Sequence, residues 1–248
     1  MRILSMLLIP LLGTAAGSAV VFFVKNSLDG SVQKILNGFA AGIMLAASVW
    51  SLLIPAIEIQ GADSPLAWVS VTVGFLGGVF FLMLMSKAVQ RFHFTEKFGK
   101  GFAKTALLIF AVTIHNFPEG MAAGVTFAGA DYITEGQALA LSVGLAVQNF
   151  PEGAIVSLPL KNVGLTKFKS FLFGVLSGVV EPVGALLTVF LASQLNSLLP
   201  FLLAFAAGAM VFVVVDELIP DRREEEANLV TSSAAVGFAL MMILDIAL

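Results

Sequence analysis

Eight apolar stretches, each long enough to cross a bilayer, predict an all-α membrane protein built as a bundle of eight transmembrane helices. Three observations carry that prediction. Of the 248 residues 58% are hydrophobic and only 12% are charged, with a mean hydropathy of +1.00, which is more apolar surface than a water-soluble core of this size can hide. Each stretch is bounded by turn or charge signals. The basic residues gather in every second connection.

In chain order the spans fall near 5–24, 33–56, 66–88, 104–129, 134–159, 168–192, 198–219 and 229–247. The first is read as a retained helix and not a signal peptide, because the apolar run from Ile3 to Val24 has the length of a full span. Its Pro10-Leu11-Leu12-Gly13 echoes Pro182-Val183-Gly184 in the sixth. The connections are Asn26 to Gly30, Gly61 to Pro65, Phe92 to Lys100, Gly129 to Thr134, Lys161 to Lys167, Asn196 to Pro200 and Asp221 to Asn228. None has room for a soluble domain, so residues 1–248 are expected to form one transmembrane domain.

With the N-terminus outside, the inner connections hold Lys25 and Lys34; Lys87, Arg91, Lys97, Lys100 and Lys104; Lys161, Lys167 and Lys169; and Arg222 and Arg223. These are 12 of the 13 basic residues, and only Arg2 falls outside. The outer connections carry Glu58, Asp63, Asp131 and Glu135 instead. Such a bias predicts outside N- and C-termini and an even number of spans. A net charge of −3 with no basic face argues against nucleic-acid binding. The lack of cysteine removes disulfides, thiolate metal sites and cysteine catalysis.

Two internal repeats organise the chain. Asn-Phe-Pro-Glu-Gly stands at 116–120 and again at 149–153; Phe-Ala-Ala-Gly-X-Met stands at 39–44 and at 205–210, each followed by Leu-Ile-Pro at 53–55 and 218–220. The repeated segments run in opposite directions. They predict an inverted repeat, with spans 1–3 related to spans 6–8 around a central pair, and substrate bound near mid-membrane on that pair.

Pro118 and Pro151 donate no backbone hydrogen bond, so the carbonyls of Ile114 and Val147 lose their helical partners. In hydrocarbon such oxygens need a cation or a water-lined cavity. His115, Asn116 and Glu119 share one helix face, and Gln148, Asn149 and Glu152 repeat the arrangement. Glu181, beside Pro182, adds a third carboxylate at similar depth. Each ionised carboxylate at the bilayer centre costs at least ~2.5 kcal/mol on insertion scales. No Lys or Arg lies at that depth to offset them. One or two divalent cations would. Imidazole, carboxylate and amide oxygens suit zinc, and equally iron(II), manganese or cadmium.

His-Asn-Phe-Pro-Glu-Gly at 115–120, Gln-Asn-Phe-Pro-Glu-Gly at 148–153 and Glu181-Pro182 together resemble the ZIP (Zrt/Irt-like) family of zinc and iron transporters, in the prokaryotic-type branch with Gln in the second motif. The resemblance extends over all eight spans. It implies a three-plus-two-plus-three bundle with outside termini and a two-metal site of His115, Asn116, Glu119, Gln148, Asn149, Glu152 and Glu181, with Met44 completing one shell. It further implies an entrance lined by Ser48 and Ser51, and an exit marked by Met210, Asp216 and Glu217. Metal would move into the cytoplasm as spans 1, 4, 5 and 6 slide against the rest. The chain departs from the family pattern where Gln148 replaces a second His, Asn149 an Asp found in some members, and Asp216 a His. The His-rich inner loop is reduced to His93.

The expectation is thus a multi-pass transporter of divalent metal, zinc foremost with up to two ions per chain, and no enzyme. It belongs in a plasma membrane, most naturally a prokaryotic inner membrane, with a homodimer left open. Passive conduction and a di-metal membrane hydrolase or oxidase are the rival readings. The missing His-Glu-X-X-His motif and the polar residues on both sides of the centre count against an enzyme.

Overall fold

The computed structural model of the chain describes residues 6–24, 29–60, 67–91, 100–129, 132–194, 196–219 and 224–248. Arg2, Lys25, Asp63, His93, Lys97, Asp131, Arg222 and Arg223, which carry part of the expected charge asymmetry, lie outside the described residues.

Helix α1 (Ile9–Ala19) tightens into a 3-10 turn at Val20–Phe22. α2 (Gly30–Ala47) passes through a π-helical segment, Ser48–Leu53, into α3 (Ile54–Gln60). α4 (Ala67–Arg91), α5 (Lys100–Ala128) and α6 (Glu135–Asn162) follow, then α7 (Lys167–Gly178) and α8 (Val180–Gln194). A 3-10 turn at Asn196–Leu198 leads into α9 (Leu199–Val213), which ends in a second π-helical segment, Val214–Leu218, before α10 (Glu224–Ala247). The described residues contain no strand. Six stretches among them are long and apolar enough to cross a membrane: Gly30–Gln60, Trp68–Ala88, Glu135–Asn162, Lys167–Ala192, Leu199–Asp216 and Ala227–Ala247. Ile9–Phe22 is a shorter apolar helix.

Local chemistry accounts for the ends and the breaks. Thr134 closes a capping box with Gln137 at the start of α6, and the Thr166 hydroxyl accepts from the Lys169 amide at the start of α7. Lys161 and Lys167 donate to the carbonyls of Val24 and Phe22 at 2.9 and 2.8 Å, satisfying acceptors that the end of the first span leaves bare. α5 and α6 run continuously through Pro118, Pro151 and Pro159. The expected sixth span instead breaks at Val179, whose amide bonds to Leu176 in a tight turn. Pro182 has no amide to offer the Gly178 carbonyl, which removes the hydrogen bond that would have bridged the break.

The distribution of side chains suits a lipid solvent. Leu12, Trp68, Leu84, Phe168, Phe190, Val236 and Ile246 are exposed, while Thr14, Ser18, Ser142, Ser157, Ser177 and Thr188 are buried. Among apolar helices the hydrophobic effect offers nothing in lipid, so association rests on close backbone approach and on interhelical hydrogen bonds.

Four helix pairs meet that way: α1 with α6, α8 with α5, α2 with α10, and α4 with α9. In each, glycines four apart lie against a neighbour's carbonyls: Gly13 and Gly17 against Ala146 and Phe150, Gly120 and Gly124 against Glu181 and Ala185, Gly38 and Gly42 against Val230 and Ala234, Gly74 and Gly78 against Phe201 and Phe205. A Cβ at Gly17, Gly42, Gly78 or Gly120 would collide with those oxygens.

The contacts are copies of one another. Gly17 meets the Phe150 carbonyl as Gly184 meets that of Phe117, and Gly153 meets the Thr14 carbonyl as Gly120 meets that of Glu181. Gly42 meets Ala234 as Gly208 meets Phe75, and Gly237 meets Phe39 as Gly78 meets Phe205. The two π-helical segments follow the two copies of Phe-Ala-Ala-Gly-X-Met at matching positions. One correction to the sequence reading results. Gly17 answers to Gly184 and Thr14 to Glu181, so aligning Pro10-Leu11-Leu12-Gly13 with Pro182-Val183-Gly184 sets the first and sixth spans one helical turn out of register.

Candidate metal centre

The two Asn-Phe-Pro-Glu-Gly motifs lie in the middle of α5 and α6, and Glu181 opens α8 just after the break at Val179. Helical spacing puts Asn116 and Glu119 on one face of α5, and Asn149 and Glu152 on one face of α6. Close packing of α5 on α8 and of α6 on α1 then encloses them. Asn116, Glu119, Gln148 and Asn149 have no exposed surface, and Glu181, His115 and Glu152 are 1%, 7% and 8% exposed.

The three carboxylates lie within electrostatic reach of one another. Glu119 interacts with Glu152 and with Glu181, and Glu181 with Glu152. An amide holds Glu119. Gln148 Nε2 donates to Glu119 Oε1 at 2.6 Å and to Asn149 Oδ1 at 3.2 Å. Asn116 Nδ2 donates to the Ser177 carbonyl at 3.1 Å, and Asn149 Nδ2 to the Pro10 carbonyl at 3.4 Å, one more pair of matched contacts across the repeat.

What remains at the centre is acceptor. Asn116 Oδ1, Glu119 Oε2, Gln148 Oε1 and Glu181 Oε2 are enclosed by protein with no donor directed at them. Each buried acceptor left so costs about 1–3 kcal/mol. A bound cation would satisfy all four at once, and no Lys or Arg occurs between Lys104 and Lys161 or between Lys169 and Arg222. Among the described residues no three His, Asp or Glu side chains come together as a metal-holding group by themselves. The donor set therefore depends on the amide oxygens as much as on the carboxylates.

Met44 and Met210 are fully buried within the main apolar core. Ser48 Oγ donates to the Met44 carbonyl at 2.7 Å, one turn back in its own helix. Ser51 Oγ donates to Asp245 Oδ1 at 2.7 Å. Asp216 is exposed within the second π-helical segment, and the Glu217 side chain lies outside the described residues.

Three further groups escaped the sequence reading. Asp245, on α10, pairs with Ser51, and its second oxygen is buried without a partner. An aspartate inside an otherwise apolar span was the available signal. Thr14 Oγ1 donates to Glu181 Oε1 at 3.1 Å, and Pro10 supplies the carbonyl that holds Asn149. Neither has a signal of its own on an apolar first helix.

Comparison with known proteins points to one family. The family model described as ZIP zinc transporter matches residues 93–245. The chain is 37% identical to the zinc transporter GufA of Myxococcus xanthus, with 96% of each chain covered. It is 36% identical to the zinc transporter ZIPB of Bordetella bronchiseptica, covering 96% of this chain and 80% of that one. To the zinc transporter ZIP11 of Xenopus tropicalis it is 35% identical, with 95% of this chain and 94% of the relative covered.

Proposed function

The chain belongs to the ZIP zinc transporter family, and from that premise we propose that zinc crosses the membrane through the centre formed by Glu119, Glu152 and Glu181. It is a multi-pass membrane protein that transports divalent metal cations, with zinc the foremost cargo. One observation carries the placement: carboxylates from three helices interact in the protein interior, among enclosed oxygens that lack donors and in stretches without a basic residue. A doubly charged ion offsets that charge, and carboxylate, amide and imidazole donors from His115, Asn116, Gln148 and Asn149 suit zinc.

On this reading the eight spans form a three-plus-two-plus-three inverted repeat with both termini outside. The matched glycine contacts and matched π-helical segments support it. Up to two ions occupy the centre, and Met44 completes the shell of one. Ser48 and Ser51 stand on the outer approach, and Met210, Asp216 and Glu217 on the way out to the cytoplasm. The protein acts as a carrier and not an enzyme, in a plasma membrane of the prokaryotic inner-membrane type.

Zinc uptake into proteoliposomes tests the assignment. Glu152→Ala is expected to lower uptake by at least about tenfold, the scale set by losing a group that holds metal. Uptake at the parent rate would remove Glu152 from the path and the centre with it.

A further inference from the structure

The first span plays no part in the metal chemistry read from sequence, yet it makes both polar contacts that fix the far side of the centre. The Pro10 carbonyl accepts from Asn149 Nδ2, and one turn on, Thr14 Oγ1 donates to Glu181 Oε1. Thr14 has no exposed surface, and its side chain lies against Gly178, where an added Cβ would come within 2.9 Å of it.

The repeat gives this contact its meaning. Asn149 on the Pro10 carbonyl matches Asn116 on the Ser177 carbonyl. Gly153 on the Thr14 carbonyl matches Gly120 on the Glu181 carbonyl. Thr14 therefore occupies in the first span the position that Glu181 occupies in the sixth. The hydrogen bond between them joins two equivalent positions across the relation that maps one half of the molecule onto the other. A strictly symmetric centre would carry a fourth carboxylate there. This chain carries a hydroxyl donor instead.

We propose that Thr14 is a positioning residue for metal binding: its hydroxyl clamps Oε1 of Glu181, so that Oε2 is held toward the ion, while its lack of charge limits the centre to three carboxylates. A carboxylate tethered at one oxygen loses less rotational freedom when the other oxygen binds an ion. Groups that orient metal ligands in this way are typically worth about 10- to 100-fold in metal affinity or activity.

The inference rests on Glu181 being a metal ligand, and the test separates the two claims. Zinc binding to the purified full-length protein, and the KM and Vmax of zinc uptake in proteoliposomes, are measured for the parent, Thr14→Val, Thr14→Ser, Glu181→Gln and the double variant Thr14→Val with Glu181→Gln. Valine keeps the shape against Gly178 and removes only the hydroxyl. Thr14→Val is expected to weaken zinc binding and raise KM by about tenfold or more, with Vmax changed far less. Thr14→Ser is expected to recover most of that loss, and Thr14→Val to add nothing once Glu181→Gln is present. Parent-like affinity and KM in Thr14→Val, or a serine variant as weak as the valine one, would overturn the proposal while leaving Glu181 as a ligand. Unchanged zinc binding in Glu181→Gln would remove Glu181 from the centre, and the role of Thr14 with it.

Discussion

At Gln148 one side chain serves two neighbours. Its amide nitrogen donates to Glu119 at 2.6 Å, and its carbonyl oxygen is enclosed without a donor. A neutral imidazole at this position would keep the donor with one ring nitrogen and replace the amide oxygen with the other. Nitrogen favours zinc over manganese relative to a carbonyl oxygen. Gln148→His is therefore expected to raise the ratio of zinc to manganese uptake, by about tenfold on the scale of a changed ligand contact. An unchanged ratio in competition uptake would show that the Gln148 oxygen does not face the ion. The buried carboxylates were legible in sequence, because adjacent Pro and Glu inside an apolar helix have few bland explanations and this chain has three such pairs, Pro118-Glu119, Pro151-Glu152 and Glu181-Pro182. Thr14 was not. A threonine on an apolar helix usually bonds a backbone carbonyl or packs, and only the register between spans 1 and 6 shows that it faces Glu181. Asp245 carried a signal of its own, but the Ser51 hydroxyl that pairs with it lies on a distant span.

Among helices, the association of nearly featureless apolar surfaces depends on where a side chain is missing. Gly77 and Gly78 stand next to each other on α4 and separate this effect cleanly. A Cβ at Gly78 would collide with the Phe205 carbonyl of α9, whereas a Cβ at Gly77 would meet nothing closer than 3.6 Å. Gly78→Ala is expected to cost about 1–3 kcal/mol, the range for overpacking, and to lower the Tm of the detergent-solubilised protein by about 2–10 °C. Gly77→Ala is expected to leave Tm unchanged or raise it slightly, through the higher helix propensity of alanine. Equal losses at both positions would mean that α4 and α9 are not held by backbone approach. Helix positions were readable from hydropathy, since a span must be apolar over its length. The break at Val179 and the two π-helical segments were not. Pro182 signalled a disturbance but not whether α7 and α8 would stay continuous, and nothing local in Ser48–Leu53 distinguishes a π turn from an α turn.

For the molecule as a whole, the helix pairs sort into two groups. α1, α5, α6, α7 and α8 pack on one another and hold the carboxylates, α2 pairs with α10 and α4 with α9, and the groups meet where α9 packs on α5 and where α2 and α10 pack on α6. Where the groups adjoin, a cavity of about 500 Å³ opens between α1, α2 and α6, lined by apolar residues including Ile9, Gly13, Leu36, Phe39 and Val147. Apolar walls suit a surface along which one group slides past the other, a motion that would give alternating access. A crosslink at this boundary distinguishes sliding from a static conduit. A Cβ on Gly144 of α6 would lie 3.6 Å from Ile43 Cγ2 of α2 and press on the flexible end of Met241 of α10, so cysteines at 43 and 144 come within reach of a disulfide once the Met241 side chain gives way. The chain has no cysteine of its own, which leaves the introduced pair as its only thiols. The Ile43→Cys, Gly144→Cys variant is expected to take up zinc under reducing conditions, to stop when oxidised, and to resume when reduced again. If the oxidised and demonstrably crosslinked protein transports at its reduced rate, the ion crosses between helices that do not move, and the same carboxylates act as the filter of a channel.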